Sequence, residues 1–118
     1  MQTRAILRSP AGGCRDARIK EVATVTFGDF EWDADKAAAN LAKHGVTFEE
    51  AVTVFLDLDY LLVRDDLEPD RFVAIGMSSQ ARVLFVVHCE KGETLRIISA
   101  RRATRLEREA YERRQGPD

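Results

Sequence analysis

The spacing of apolar residues changes twice along this 118-residue chain. A helical period governs the stretch after Asp33. There Ala34, Ala37, Ala38, Leu41 and Ala42 fall on one face, and Lys36, Asn40, Lys43 and His44 on the other. Asp33 is a suitable N-cap, and Gly45 supplies the left-handed position that ends a helix at little cost. A second helix opens at once. Thr47 and Glu50 have the spacing of a capping box, and Val46 and Ala51 that of a hydrophobic staple. Phe48, Ala51, Val52 and Phe55 then face the core. The two helices must turn sharply at His44-Gly45-Val46.

Beyond residue 57 the pattern becomes that of strands. Segments 58–64, 71–77, 82–89 and 94–100 are predicted to form an antiparallel meander of three or four strands. Segment 82–89 is apolar on both faces and therefore central, and 58–64 lies at an edge. Thr104 and Glu107 form a second capping box and open a final helix over 105–114, with Leu106, Ala110 and Tyr111 toward the sheet. A short strand, Phe30-Glu31-Trp32-Asp33, precedes the first helix. The expected class is α+β: a short N-terminal strand, two helices, the meander and a C-terminal helix, with the helices on one side of the sheet. Residues 1–28 mix Gly, Pro, Ser and Arg without a period and read as a flexible extension. A misassigned start codon would also produce such a segment. The structured domain is expected at 29–115.

Composition narrows the class. With 45% hydrophobic and 32% charged residues, the chain suits one small globular domain with much surface. The longest apolar run, 83–87, is five residues, far short of a membrane span, and no secretory signal is readable. Cys14 and Cys89 fall in unlike contexts, so no disulfide is expected and a cytoplasmic setting is favoured. Charge is distributed unevenly. Residues 29–70 hold twelve acids and three bases, a balance of −9; residues 82–114 hold nine bases and five acids, a balance of +4. The basic flank suits a phosphate backbone. The acidic flank suits a basic partner protein or plain solvation.

The chemistry concentrates in a few side chains. Arg101 and Arg102 are expected where the strand pattern stops and the helix pattern begins. A helix N-terminus favours anions, and the guanidinium fork matches phosphate oxygens, so the pair is a candidate phosphate clamp. Surface solvation or an internal ion pair is the alternative. Consecutive residues on extended chain point apart, so one of the two would reach the scissile phosphate. His44 and His88 are the chain's only imidazoles. His44 is either a helix-terminal cap or a proton carrier with Lys43 beside it. His88 is either that or a core histidine. Arg96 faces His88 across the ladder if the hairpin loop has three residues, and lies on the opposite sheet face if the loop is Lys91-Gly92. Trp32 is a core residue or a base-stacking platform, and Tyr111 a packing residue. His88 and Cys89 point apart and no second ligand pair exists, so no metal site is expected. No nucleotide-binding glycine motif is present, and no cofactor is expected.

Several of these segments together resemble the BrnT toxin family. They are Phe30-Glu31-Trp32-Asp33, Lys43-His44-Gly45-Val46, Phe48-Glu49-Glu50-Ala51, Val87-His88, the run from Arg96 to Thr104, and Glu109-Ala110-Tyr111. The resemblance spans roughly residues 30 to 113. It implies a RelE-like ribonuclease fold and the toxin of a bacterial type II toxin–antitoxin system. It further implies neutralisation by a BrnA-like antitoxin with a ribbon-helix-helix part, through which alone the complex would reach operator DNA. On this reading the protein is an endoribonuclease that cuts RNA without a metal. His44 and His88 are the candidate proton carriers, Arg101 and Arg102 the catalytic cations, and Lys43 and Arg96 further phosphate contacts. A non-catalytic module that binds nucleic acid or an antitoxin is the alternative.

Overall fold

The computed structural model describes residues 23–115. Six strands and three helices follow one another. They are β1 (Thr24–Phe27), β2 (Phe30–Asp33), α1 (Ala34–His44), α2 (Phe48–Thr53), β3 (Leu61–Arg64), β4 (Phe72–Met77), β5 (Val83–Lys91), β6 (Thr94–Arg102) and α3 (Arg105–Gln115). A 3-10 turn, Val54–Leu56, prolongs α2.

The class is α+β, as the pattern predicted, but the sheet is larger than a three- or four-stranded meander. Six strands lie in the order β1-β2-β6-β5-β4-β3. The meander is its β3-to-β6 part, antiparallel throughout. β2 adds to β6 in parallel, and β1 pairs back on β2. The extension was drawn too long: Thr24–Phe27, inside it, is a strand, with β-branched residues at three of four positions. Residues 1–22 lie outside the described residues.

The helices do not share one side. One core holds Trp32, Phe48, Val54, Leu84, Val86, Ile97 and Ala100 beneath α1 and α2. A second holds Val73, Ile75, Val83 and Tyr111 beneath α3. A central strand apolar on both faces needs cover on both, which places α3 opposite the other helices. Tyr111 donates to Asp57 Oδ2, tying α3 to the turn before β3. Leu106, expected against the sheet, is 75% exposed. Trp32 packs edge-on against Phe48 and is fully enclosed, so it is core and not a stacking platform.

Helix α1 follows its capping signals but not its expected face. The Asp33 side chain accepts from the Asp35 N–H, and Gly45, at φ +72°, returns its N–H to Leu41. Yet Ala38, Leu41 and Ala42 are exposed, while Ala37, Asn40 and His44 turn inward. Asn40 decides this. Its Nδ2 donates to Ala100 O at 2.8 Å and to Val46 O at 3.0 Å, and its Oδ1 accepts from Ala100 N at 3.1 Å. The described pairing of β2 with β6 covers only Leu95 and Arg96, so Ala100 has no strand beside it on that side. The carboxamide takes a strand's place there, satisfying backbone groups that burial would otherwise penalise. Alanines offer too little apolar area to outweigh three such bonds.

Asn40→Ala should therefore cost about 2 kcal/mol, because Ala100 keeps a buried donor and acceptor without partners. Leu41→Ala should cost under about 0.5 kcal/mol. Urea titration of both variants checks this; the reverse order would restore the alanine face as the packing face.

Candidate functional site

The hairpin register fixes where the central candidates point. Lys91 pairs with Thr94, Cys89 with Arg96 and His88 with Ile97, with a bulge between Val87 and His88. The loop has two residues, Gly92 and Glu93. His88 and Arg96 consequently lie on opposite faces.

His88 is a core residue. It is 4% exposed, edge-on to Phe55 at 5.0 Å and stacked on Phe72 at 6.1 Å. Neither ring nitrogen has a hydrogen-bond partner. Burial lowers its pKa to about 4, so the ring is neutral at pH 7. Arg96 is enclosed as well. Its Nη1 lies 2.7 Å from Glu31 Oε2 on the adjoining β2, with Lys91 at 3.6 Å. A buried pair of this kind favours one strand register over others, since a slip would leave both charges unpaired. Neither side chain reaches solvent, so neither is placed to meet a polymer in this conformation.

Cys89, fully buried on β5, is disulfide-bonded, which overturns the expectation of unpaired thiols; Cys14 lies outside the described residues. Among the described residues no group of three or more His, Cys, Asp or Glu side chains is placed to hold a metal ion. No described helix is long and apolar enough to cross a membrane.

β6 runs two residues further than the pattern suggested, so the arginine pair is still strand. Arg101 stands opposite Phe85 and Arg102 opposite Leu84. Alternation sends them to different faces, as expected. Arg101 goes to the α3 side. Its guanidinium lies 3.9 Å over the Phe85 ring and holds both Glu107 oxygens, at 2.8 and 2.9 Å. Glu107 also accepts from Thr104 N, and Thr104 Oγ1 accepts from Glu107 N, completing the predicted capping box. Burial would raise the Glu107 pKa, but the bonds from Arg101 and Thr104 hold it below the usual carboxylate range. Arg101 is therefore a helix anchor. Arg102, on the other face, is exposed, and its guanidinium makes no hydrogen bond or ion pair among the described residues.

Three segments meet near Arg102. Asn40 ties the end of α1 to Ala100 and to Val46. Arg82 Nη2 donates to Gly45 O at 3.1 Å, tying the β4–β5 loop to the turn that follows His44. Arg82 also grips Glu50 through two bonds, 2.7 and 3.0 Å, and Ser78 Oγ donates to the same carboxylate at 2.6 Å. Glu50 thus keeps only half of its predicted capping box: Thr47 accepts from its N–H, while its carboxylate turns to Arg82. The Arg82 bond lowers the Glu50 pKa most. Burial opposes it, the Ser78 bond and the Arg82 charge add to it, and so does the charge of Arg102. Ala81, before Arg82, sits at φ +63°, a strained position for a residue with a Cβ.

The outcome for the predicted residues is mixed. Through Asn40 and Arg82 the end of α1, which carries Lys43 and His44, is held at one corner with the end of β6, which carries Arg102; Arg101 turns to the α3 side, and Arg96 and His88 are enclosed. Asn40, Glu50, Ser78 and Arg82 build that corner and carried no distinctive sequence signal. Glu50 was visible only as a cap, and Arg82 only as the polar residue before an apolar run.

Residues 32–107 match the family model described as the ribonuclease toxin BrnT of type II toxin–antitoxin systems. The chain belongs to this family. Among solved structures it is similar to the Brucella abortus ribonuclease toxin BrnT, at 28% identity and a TM-score of 0.53, over 63% of this chain and 94% of that one. No curated protein matches it. The toxin family that the segments resembled therefore holds, with its description as a ribonuclease toxin, and the α+β class holds with a larger sheet than expected.

Stability should fall in acid because of His88. Its folded pKa of about 4 lies below the ordinary 6.5, so the unfolded chain binds a proton over that window and the folded chain does not. The stabilisation present above pH 6.5 is lost as pH falls toward 4, a loss of about 3 kcal/mol. His88→Phe should flatten this part of the stability profile in urea titrations between pH 7 and 4. An unchanged slope would show that His88 is not the group responsible.

Proposed function

We propose that this BrnT-family toxin is a metal-independent endoribonuclease whose working surface is the corner formed by the α1–α2 turn and the end of β6. The observation that carries this is the fate of the cations. Arg82, Arg96 and Arg101 each neutralise a carboxylate, whereas Lys43 and Arg102 make no ion pair among the described residues, and His44 lies next to Lys43. A surface that keeps unneutralised cations together favours a polyanion.

The chemistry follows from the ribose. The 2′-oxygen attacks phosphorus, the bond to the 5′-oxygen breaks, and a cyclic phosphate remains. His44 takes the 2′-hydroxyl proton, water returns one to the leaving oxygen, and Arg102 with Lys43 stabilises the charge growing on the phosphoryl oxygens. Cleavage would arrest growth in the cytoplasm. A BrnA-like antitoxin with a ribbon-helix-helix part would neutralise the toxin and carry the complex to operator DNA. A non-catalytic RNA-binding role is the second reading, favoured by the enclosure of His88, which leaves the half-buried His44 as the other imidazole.

Incubation of the purified protein with a transcript in EDTA tests both. Cleavage with cyclic phosphate ends, absent on DNA of the same sequence, is expected, since DNA lacks the 2′-hydroxyl. His44→Gln and Arg102→Ala should each slow it by about 100-fold or more. Arg101→Ala should instead loosen α3 and lower the melting temperature. Salt-sensitive binding without turnover would establish the binding module, and full activity of the double variant at His44 and Arg102 would move the site elsewhere.

A further inference from the structure

The sheet has an apolar edge that the proposed RNA chemistry does not use. β3 has β4 on one side and no described strand on the other. Leu62 and Val63 are consecutive, so they point to opposite faces, and both are exposed, at 50% and 41%. Leu58 and Leu67 stand at the two ends of the strand and are almost wholly exposed. Proteins ordinarily blunt such an edge with lysine, proline or a bulge, because its free backbone groups pair with any extended chain. None of these devices occurs within Leu61–Arg64, and Arg64 is turned away, bonded to Pro69 O and lying over Phe72.

The surroundings of this edge are acidic. Residues 57–70 hold Asp57, Asp59, Asp65, Asp66, Glu68 and Asp70 against Arg64 alone. This is the densest part of the acidic flank visible in the sequence. Its charge decides between occupants. A second copy of the chain pairing β3 on β3 would bring the two acidic borders together, which like-charge repulsion opposes. A strand with basic ends would meet them with complementary charge.

We infer that the free edge of β3 is a docking edge, on which an extended, lysine- or arginine-flanked segment of a partner protein adds as a seventh strand. Backbone hydrogen bonds would supply the pairing, Leu62 and Val63 the apolar contacts on the two faces, and the acidic border the choice of partner. This edge stands apart from the cationic corner, and the inference does not rest on RNA cleavage.

Two short fluorescent peptides of alternating Val and Thr test it on the full chain. One carries paired lysines at each end and the other paired glutamates. The lysine peptide should bind about tenfold or more tightly at low salt, and should slow amide exchange within Leu61–Arg64. Asp59→Lys with Asp66→Lys should remove most of that preference. Leu62→Lys with Val63→Lys, at exposed positions that leave the core intact, should abolish binding. Equal affinity for both peptides, no binding of either, or unchanged binding by the Leu62/Val63 variant would overturn the proposal. A dimer of the unliganded chain that this variant dissociates would also overturn it, by making a second copy the occupant.

Discussion

The carboxamide of Asn40 is the contact on which the arrangement of this protein turns. Three hydrogen bonds from one side chain fasten a helix to a strand and to the turn leaving that helix. They set the rotation of α1, so that His44, one turn on, faces inward and Lys43 faces out. They also complete the backbone pairing of β6 at Ala100, two residues before Arg102. A buried backbone group without a partner costs more than most single contacts contribute, so this requirement outranks the apolar pattern of the helix.

A second constraint is how the fold disposes of its arginines. Arg96 is buried against Glu31 where β2 meets β6 in parallel. Arg101 anchors α3 through Glu107 and Phe85. Arg82 binds Glu50 and the carbonyl of Gly45. Arg96 and Arg82 join elements distant in sequence, Arg101 holds the helix that follows its own strand, and each is neutralised in doing so. Arg102 is left to solvent because strand alternation turns it from the Glu107 side, while Arg82 already occupies Glu50. The cation density read along the C-terminal third is thus largely taken up in ion pairs within the fold. Strain at Ala81 accompanies this corner, since the loop must bring Ser78 and Arg82 onto one carboxylate.

The two ends of the sheet show opposite characters. Near Arg102, cations stand free beside a turn closed by Gly45. At the β3 edge, apolar side chains are framed by carboxylates. A chain with a formal net charge of only −2 thereby presents one surface suited to a polyanion and another suited to a basic protein segment.

Local signals in the chain alone determined the elements with local causes. The caps at Asp33, Thr47 and Thr104, the left-handed Gly45, the meander and the apolar β5 all follow from neighbouring residues, because capping and alternation act over one to four positions. The segments from Phe30 to Tyr111 that resemble the BrnT family likewise pointed to the family. What depended on distant residues was decided only by the tertiary structure. The parallel pairing of β2 with β6, the side taken by α3 and the inward face of α1 each require a partner sixty or more residues away or a second covered sheet face. The same holds for the candidate residues: His88 is enclosed by Phe55 and Phe72 and Arg96 by Glu31, while Arg102 stays exposed at the end of β6. Register and burial made that selection, and a one-residue difference in the Gly92-Glu93 loop would have inverted part of it.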